Sequence, residues 1–297
     1  MRKGEMPMPA VYAHIRFGEE VAKNLPAPHT NLIERFPEAF HLGTQGPDIL
    51  FYYKPLKDND IRTYGKLLHA HSGEEFFLAL GEKLLNEADT DDEAELLTKN
   101  GAFAAYTCGF LCHFTLDVLC HPHVNEKVSE ALSHGKIESE FDKFLLRLDG
   151  KPIRGYNTAT PILDKNGAKA AASKALDVEE NNIGAAIKTM RNINAWFSRK
   201  CELSHKFAHT VLKTIHMDKT FGDMFLHKTD DPLCIETNKT LLQKFKGAIP
   251  IAAALIPHYF QNLRAWVQNK RCENNLFRHN FGGSLKTEEE LNESSCS

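Results

Sequence analysis

The chain has 297 residues, 42% of them hydrophobic, enough to fill a sizeable core without disulfide help. Lys and Arg total 36 against 39 Asp and Glu, a formal net charge of −3, so there is no strong nucleic-acid signal and no field to hold an anionic membrane by charge alone. Seven scattered cysteines, Cys108, Cys112, Cys120, Cys201, Cys234, Cys272 and Cys296, form no C-x-x-C pair, and Met1 to Val21 carries no apolar stretch of the kind a secretory signal needs. Reduced thiols in a cytoplasmic protein are the expectation.

Strand signals are sparse. Apolar residues instead recur with a 3.6-residue period at Ile15–Asn24, Leu32–Phe40, Tyr64–Leu85, Phe103–Cys120, Val124–Leu132 and Ile137–Leu148, which predicts an all-α fold. Pro and Gly mark loops at Leu25–Thr30, Gly43–Pro47 and Lys54–Asp60, and the acidic run Glu87–Glu95 reads as a solvated connector. Gly101 to Cys120 has the length of a membrane span, but His113 and Asp117 would sit deep inside it, where an unpaired carboxylate is costly. A buried core helix carrying a polar site is the better account, and no transmembrane segment is expected. From Gly150 to Asp177 the composition loosens, and helical patterning resumes at Asn182–Ser198, His205–His216 and Leu241–Gln268. The expected organisation is a helical core over residues 1–150, with additional helices over 151–297 packed on it and a mobile polar tail after Phe281. Gly282-Gly283 reads as a turn.

Histidines beside carboxylates carry the functional signal. His113, Asp117 and His121 fall at i, i+4 and i+8, so they project from one face of an otherwise apolar helix. His134 and Glu138 repeat the four-residue spacing at the start of the next helix. Taken singly, each His–carboxylate pair is an ordinary helix-surface contact. A carboxylate in an apolar helix, however, needs compensation that a divalent cation provides, and imidazole nitrogen with carboxylate oxygen is a donor set that zinc accepts.

These residues sit within a longer series: Ala13-His14-Ile15-Arg16-Phe17-Gly18, Gly46-Pro47-Asp48-Ile49, Leu68-His69, Gly109-Phe110-Leu111-Cys112-His113-Phe114-Thr115-Leu116-Asp117, Cys120-His121-Pro122 and His134-x-x-x-Glu138. In that order, over about residues 9–148, the series resembles the bacterial zinc-dependent phospholipase C family. The resemblance implies a multi-helix bundle with one zinc held by Asp48, His69, His113 and Asp117, and another by His121, His134 and Glu138. It implies a third held by His14 with Asp117 as a bridge, so two or three ions in all. In secreted members the third ion also binds a mature N-terminal tryptophan, and no tryptophan occurs near the start of this chain. His71 and His123 each follow a favoured histidine by two residues, and His69 and His121 fit the family positions better. His29, His41, His205, His209, His216, His227, His258 and His279 form no comparable constellation.

The implied chemistry is hydrolysis of a phospholipid or other small phosphodiester, with Asp48 as general base and metal-activated hydroxide as nucleophile. Phe51, Tyr52 and Tyr53 are either cleft-lining aromatics or core. A non-catalytic, metal-stabilised lipid- or partner-binding protein and a nuclease-like phosphodiesterase are the alternatives, and oligomeric state is not readable.

Overall fold

The computed structural model describes residues 10–198 and 229–285, where apart from two isolated bridge pairs the regular elements are helices. They are α1 (Val11–Ala22), α2 (Ala27–Arg35), α3 (Pro37–Gly43), α4 (Asp60–Ala70), α5 (Gly73–Glu87), α6 (Glu93–Asn100), α7 (Ala102–Lys127), α8 (His134–Leu148), α9 (Ala168–Leu176), α10 (Glu180–Phe197) and α11 (Ile235–Asn269). Short 3-10 turns lie at Gly46–Tyr52, Pro232–Cys234 and Asn275–Arg278. The fold is all-α. The expected helix at His205–His216 lies outside the described residues.

Proline placement accounts for several boundaries that differ from the periodicity. The stretch Leu25–Thr30 is not a loop throughout, because Pro28 sits in the first turn of α2, where a missing N–H costs nothing. Leu32–Phe40 is not one helix: Phe36 leaves helical geometry at φ −129°, ψ 54°, as a residue before proline is pushed to do. Tyr64–Leu85 is likewise broken, at His71 and Ser72, where the backbone is extended and Ser72 pairs with Asn280. In the opposite sense, α7 runs through Pro122 and ends at Lys127, so Val124–Leu132 is its last turn plus non-helical chain. The acidic run is not all connector, since Asp92 caps α6 by accepting from the Glu95 N–H at 2.8 Å. The loosened stretch after Gly150 contains α9, whose Ala-rich sequence AKAAASKAL favours helix intrinsically.

The apolar helix α7 forms the axis of the molecule, and 94% of its most apolar window is buried inside the protein. Helix α3 crosses it so closely that a Cβ at Gly109 would meet the Phe40 carbonyl oxygen at 2.1 Å, and one at Gly43 would meet the Tyr106 carbonyl oxygen at the same distance. On other sides α7 packs against α1, α9 and α11, and the 3-10 turn Gly46–Tyr52 is backed by α4 and α10. One continuous apolar core joins residues from α1 through α11. Helix α8 is tied down through Lys143, fully buried, which donates to Glu140 at 2.7 Å and to the Thr229 carbonyl at 2.8 Å.

The α3–α7 crossing sets where Thr44 and Gly46 meet His113, so it is a direct target. Gly109→Ala is expected to destabilise the protein by about 1–3 kcal/mol or more through overpacking. Gly247→Ala in α11, where a Cβ meets nothing within 4 Å, is expected to stabilise it by about 0.5–1 kcal/mol. Urea unfolding of both variants checks the pair, and equal effects would contradict the crossing geometry.

Candidate metal centre

Four helices and one turn carry the histidine and carboxylate side chains to a common place. Helix α7 presents His113, Asp117 and His121 along one stripe, α8 presents His134 and Glu138, α1 presents His14, α4 presents His69, and the Gly46–Tyr52 turn presents Asp48. Gly46 adopts φ +50°, and a Cβ there would lie 2.3 Å from the His113 ring, so only glycine lets the chain fold around that imidazole and aim Asp48 inward.

The contacts form a chain. His69 Nε2 lies 2.9 Å from Asp48 Oδ1. Asp117 meets His113 Nε2 at 3.2 Å, His14 Nε2 at 3.3 Å and His121 Nε2 at 3.5 Å. Glu138 Oε1 meets His121 Nε2 at 3.3 Å and His134 Nε2 at 3.2 Å. In three groups, Asp48–His69–His113, His14–His113–Asp117 and His121–His134–Glu138, potential ligand atoms lie within 4.8 Å of one another. Asp117 groups with His14, as the implied third site has it, and with His113, while Asp48 and His69 group with His113 alone. His71 lies on the surface beside Glu75 at 3.2 Å, and His123 is 3.9 Å from Glu126.

Burial decides what this arrangement requires. The side chains of His14, His113, Asp117, Asp48 and Glu138 are at most 9% exposed, whereas His69, His121 and His134 are 15–20% exposed and form the open edge. Burial would raise the Asp117 pKa, but His113, His121 and His14 hold it well below the usual carboxylate range. Burial also opposes ionisation of Glu138, yet His134 and His121 bring it down to about 2. His121 is pushed the other way, to about 10, as Asp117 and Glu138 override its desolvation. His14, desolvated and stacked 4.4 Å from His113, is lowered to about 4.

The donor set fits zinc. The Nδ1 atoms of His69, His113 and His121 pair with the carbonyls of Gly65 (2.7 Å), Thr44 (3.2 Å) and Phe281 (2.7 Å). A carbonyl only accepts, so each Nδ1 carries a proton and each Nε2 faces a carboxylate oxygen, where either a second proton or a cation joins the two. Two acceptors 2.9–3.5 Å apart repel unless a cation or proton lies between them. Two ligands about 2.0–2.1 Å from a tetrahedral zinc are themselves about 3.3 Å apart. The His113 Nε2 and one Glu138 oxygen, Oε2, are buried without a hydrogen-bond partner. A cavity of about 30 Å³ adjoins His14, Asp117, His121 and Glu138; its other walls are Cys120 and apolar side chains, with room for about one water molecule.

Two supporting features were not evident beforehand. Asp142 accepts from the Tyr12 N–H at 3.0 Å and the Ala13 N–H at 2.8 Å, capping the start of α1 and so fixing His14. Its signal was present, since His134, Glu138 and Asp142 continue a four-residue spacing. Phe281, the residue before the expected tail, is 1% exposed, and residues 282–285 form a turn beside it, as Gly282-Gly283 reads. No local signal announces a backbone carbonyl recruited from 160 residues away. Phe51 and Tyr52 are buried rather than cleft-lining.

Against known proteins, a family model described as zinc dependent phospholipase C matches residues 13–206, reaching past Gly150 where the motif series stops. No curated protein and no solved structure matches the chain.

Burial raises the Asp142 carboxyl to about 7. An acid with a raised folded-state pKa contributes stability that is full below its unfolded value near 3.8 and is lost as pH rises through about 7. Asp142→Asn is expected to flatten that part of the stability profile, measured by urea unfolding at pH 4 and pH 7. A profile as steep as the parent's would contradict the assignment.

Proposed function

The chain belongs to the zinc-dependent phospholipase C family, and from that premise we propose that it hydrolyses a phosphodiester of phospholipid type at the centre built by Asp48, His69, His113, Asp117, His121, His134 and Glu138, with His14 beside them. The observation that carries this reading is the set of imidazole Nε2 atoms that face buried carboxylates in three groups of potential ligands, a cage that two or three zinc ions would satisfy. When bound, the zinc ions draw the charge of a phosphoryl group and make water acidic enough to lose its proton near neutral pH.

The protein's own groups define the rest. Substrate approaches along the partly exposed edges of His69, His121 and His134, the accessible side of an otherwise buried cluster. Asp48 engages His69 through Oδ1, which leaves its second oxygen to orient the attacking water and accept its proton. Water attacks phosphorus, the bond to the leaving alkoxide breaks, and the alkoxide takes up a proton from solvent. The net charge of −3 gives no general attraction for anionic surfaces, so recognition of the phosphate falls to this centre. A reducing compartment suits the chain, since Cys108, Cys112, Cys120, Cys234 and Cys272 are buried free thiols.

Asp48→Asn keeps one oxygen for coordination and removes the base. With a chromogenic phosphodiester, zinc content is expected to stay near the parent value while turnover falls about 10²–10⁴-fold. Undiminished turnover removes Asp48 as base. A parent protein that holds zinc but gives no turnover on phosphatidylcholine vesicles or the chromogenic substrate, with or without chelator, favours a purely structural metal.

A further inference from the structure

We propose that the C-terminal turn over residues 277–285, which lies outside the family-matched residues 13–206, is a working part of the metal centre, with Phe281 as its positioning residue. The inference rests on the metal reading above. Phe281 touches both halves of the centre. Its carbonyl accepts the His121 Nδ1–H at 2.7 Å, which holds Nε2 toward Asp117 and Glu138. Its ring packs 5.2 Å from His69 and 5.8 Å from His113, centroid to centroid, and closes against Phe110 and Phe114. Carbonyl partners of this kind fix the tautomer and orientation of a metal-binding histidine.

The turn is locked by features of α7 and α5. Pro122 has no N–H, so the Val118 carbonyl one turn earlier lacks its helical donor. Gly283, at φ +75°, presses onto that gap: a Cβ there would lie 2.5 Å from the Pro122 ring and 2.6 Å from the Val118 oxygen. On the other side, the Gly73 N–H donates to the His279 carbonyl at 2.9 Å, and Ser72 and Asn280 form a bridge. The break between α4 and α5, the proline in α7 and the Gly282-Gly283 turn thus all serve to seat Phe281 against the imidazoles.

The test compares Phe281→Leu and Gly283→Ala with Phe277→Leu, a change on the same segment whose ring packs on Phe77, Phe114, Tyr259 and Trp266 and on none of the metal-centre histidines. Metal-free protein is titrated with zinc against a chromogenic chelator, and the visible spectrum of the cobalt-substituted protein is recorded. Phe281→Leu and Gly283→Ala are expected to weaken the affected zinc by about 10–100-fold and to shift the cobalt spectrum. Phe277→Leu lowers the thermal midpoint while leaving affinity and spectrum as in the parent. Parent-like affinity and spectrum in Phe281→Leu, the milder change, overturns the proposal even if Gly283→Ala fails to fold. A parent protein that takes up no zinc overturns the metal reading itself, a result distinct from parent and variants binding alike.

Discussion

Asp117 is 2% exposed on the central helix, and its described ion-pair partners are three histidines: His14, His113 and His121. A buried carboxylate in that setting costs several kcal/mol unless positive charge meets it. His113 and His121 can meet it with an Nε2 proton only as buried imidazolium ions, each a second charge taken out of water. In the proposed centre, divalent cations would meet this charge together with that of the two neighbouring carboxylates, Asp48 and Glu138. The other devices of the fold serve that one requirement: the glycine crossing of α3 on α7, the positive-φ Gly46, the Asp142 cap on α1 and the Phe281 strap each fix one imidazole or carboxylate relative to Asp117.

Much of this was legible in the sequence because the strongest signals are local. A four-residue spacing on a helix is a statement about geometry, so His113, Asp117, His121, His134 and Glu138 could be placed on two faces before any coordinates. The order of the remaining motifs supplied Asp48, His69 and His14 through family resemblance. Element boundaries were less legible, since apolar periodicity continues smoothly across Phe36, His71 and Pro122 while the backbone is decided by proline and by partners far away in the chain. Ala-rich α9 was hidden because alanine has high helix propensity but little amphipathic contrast.

What stayed unreadable is what is carried by main chain. Thr44, Gly65 and Phe281 act through carbonyl oxygens, and a carbonyl leaves no residue-type signature. Phe281 illustrates the point most sharply: a polar, glycine-containing terminus reads as mobile, yet the same glycines allow the close approach to Val118 and Pro122 that packs it down. Family membership covers residues 13–206, while α11 and the closing turn add to the same core and to the same centre.

The proposed function requires that the cage hold cations. Protein equilibrated with excess zinc, stripped of loosely held ions by gel filtration and measured by plasma emission against amino-acid analysis, is predicted to retain two or three zinc ions per chain. Fewer than two would contradict it.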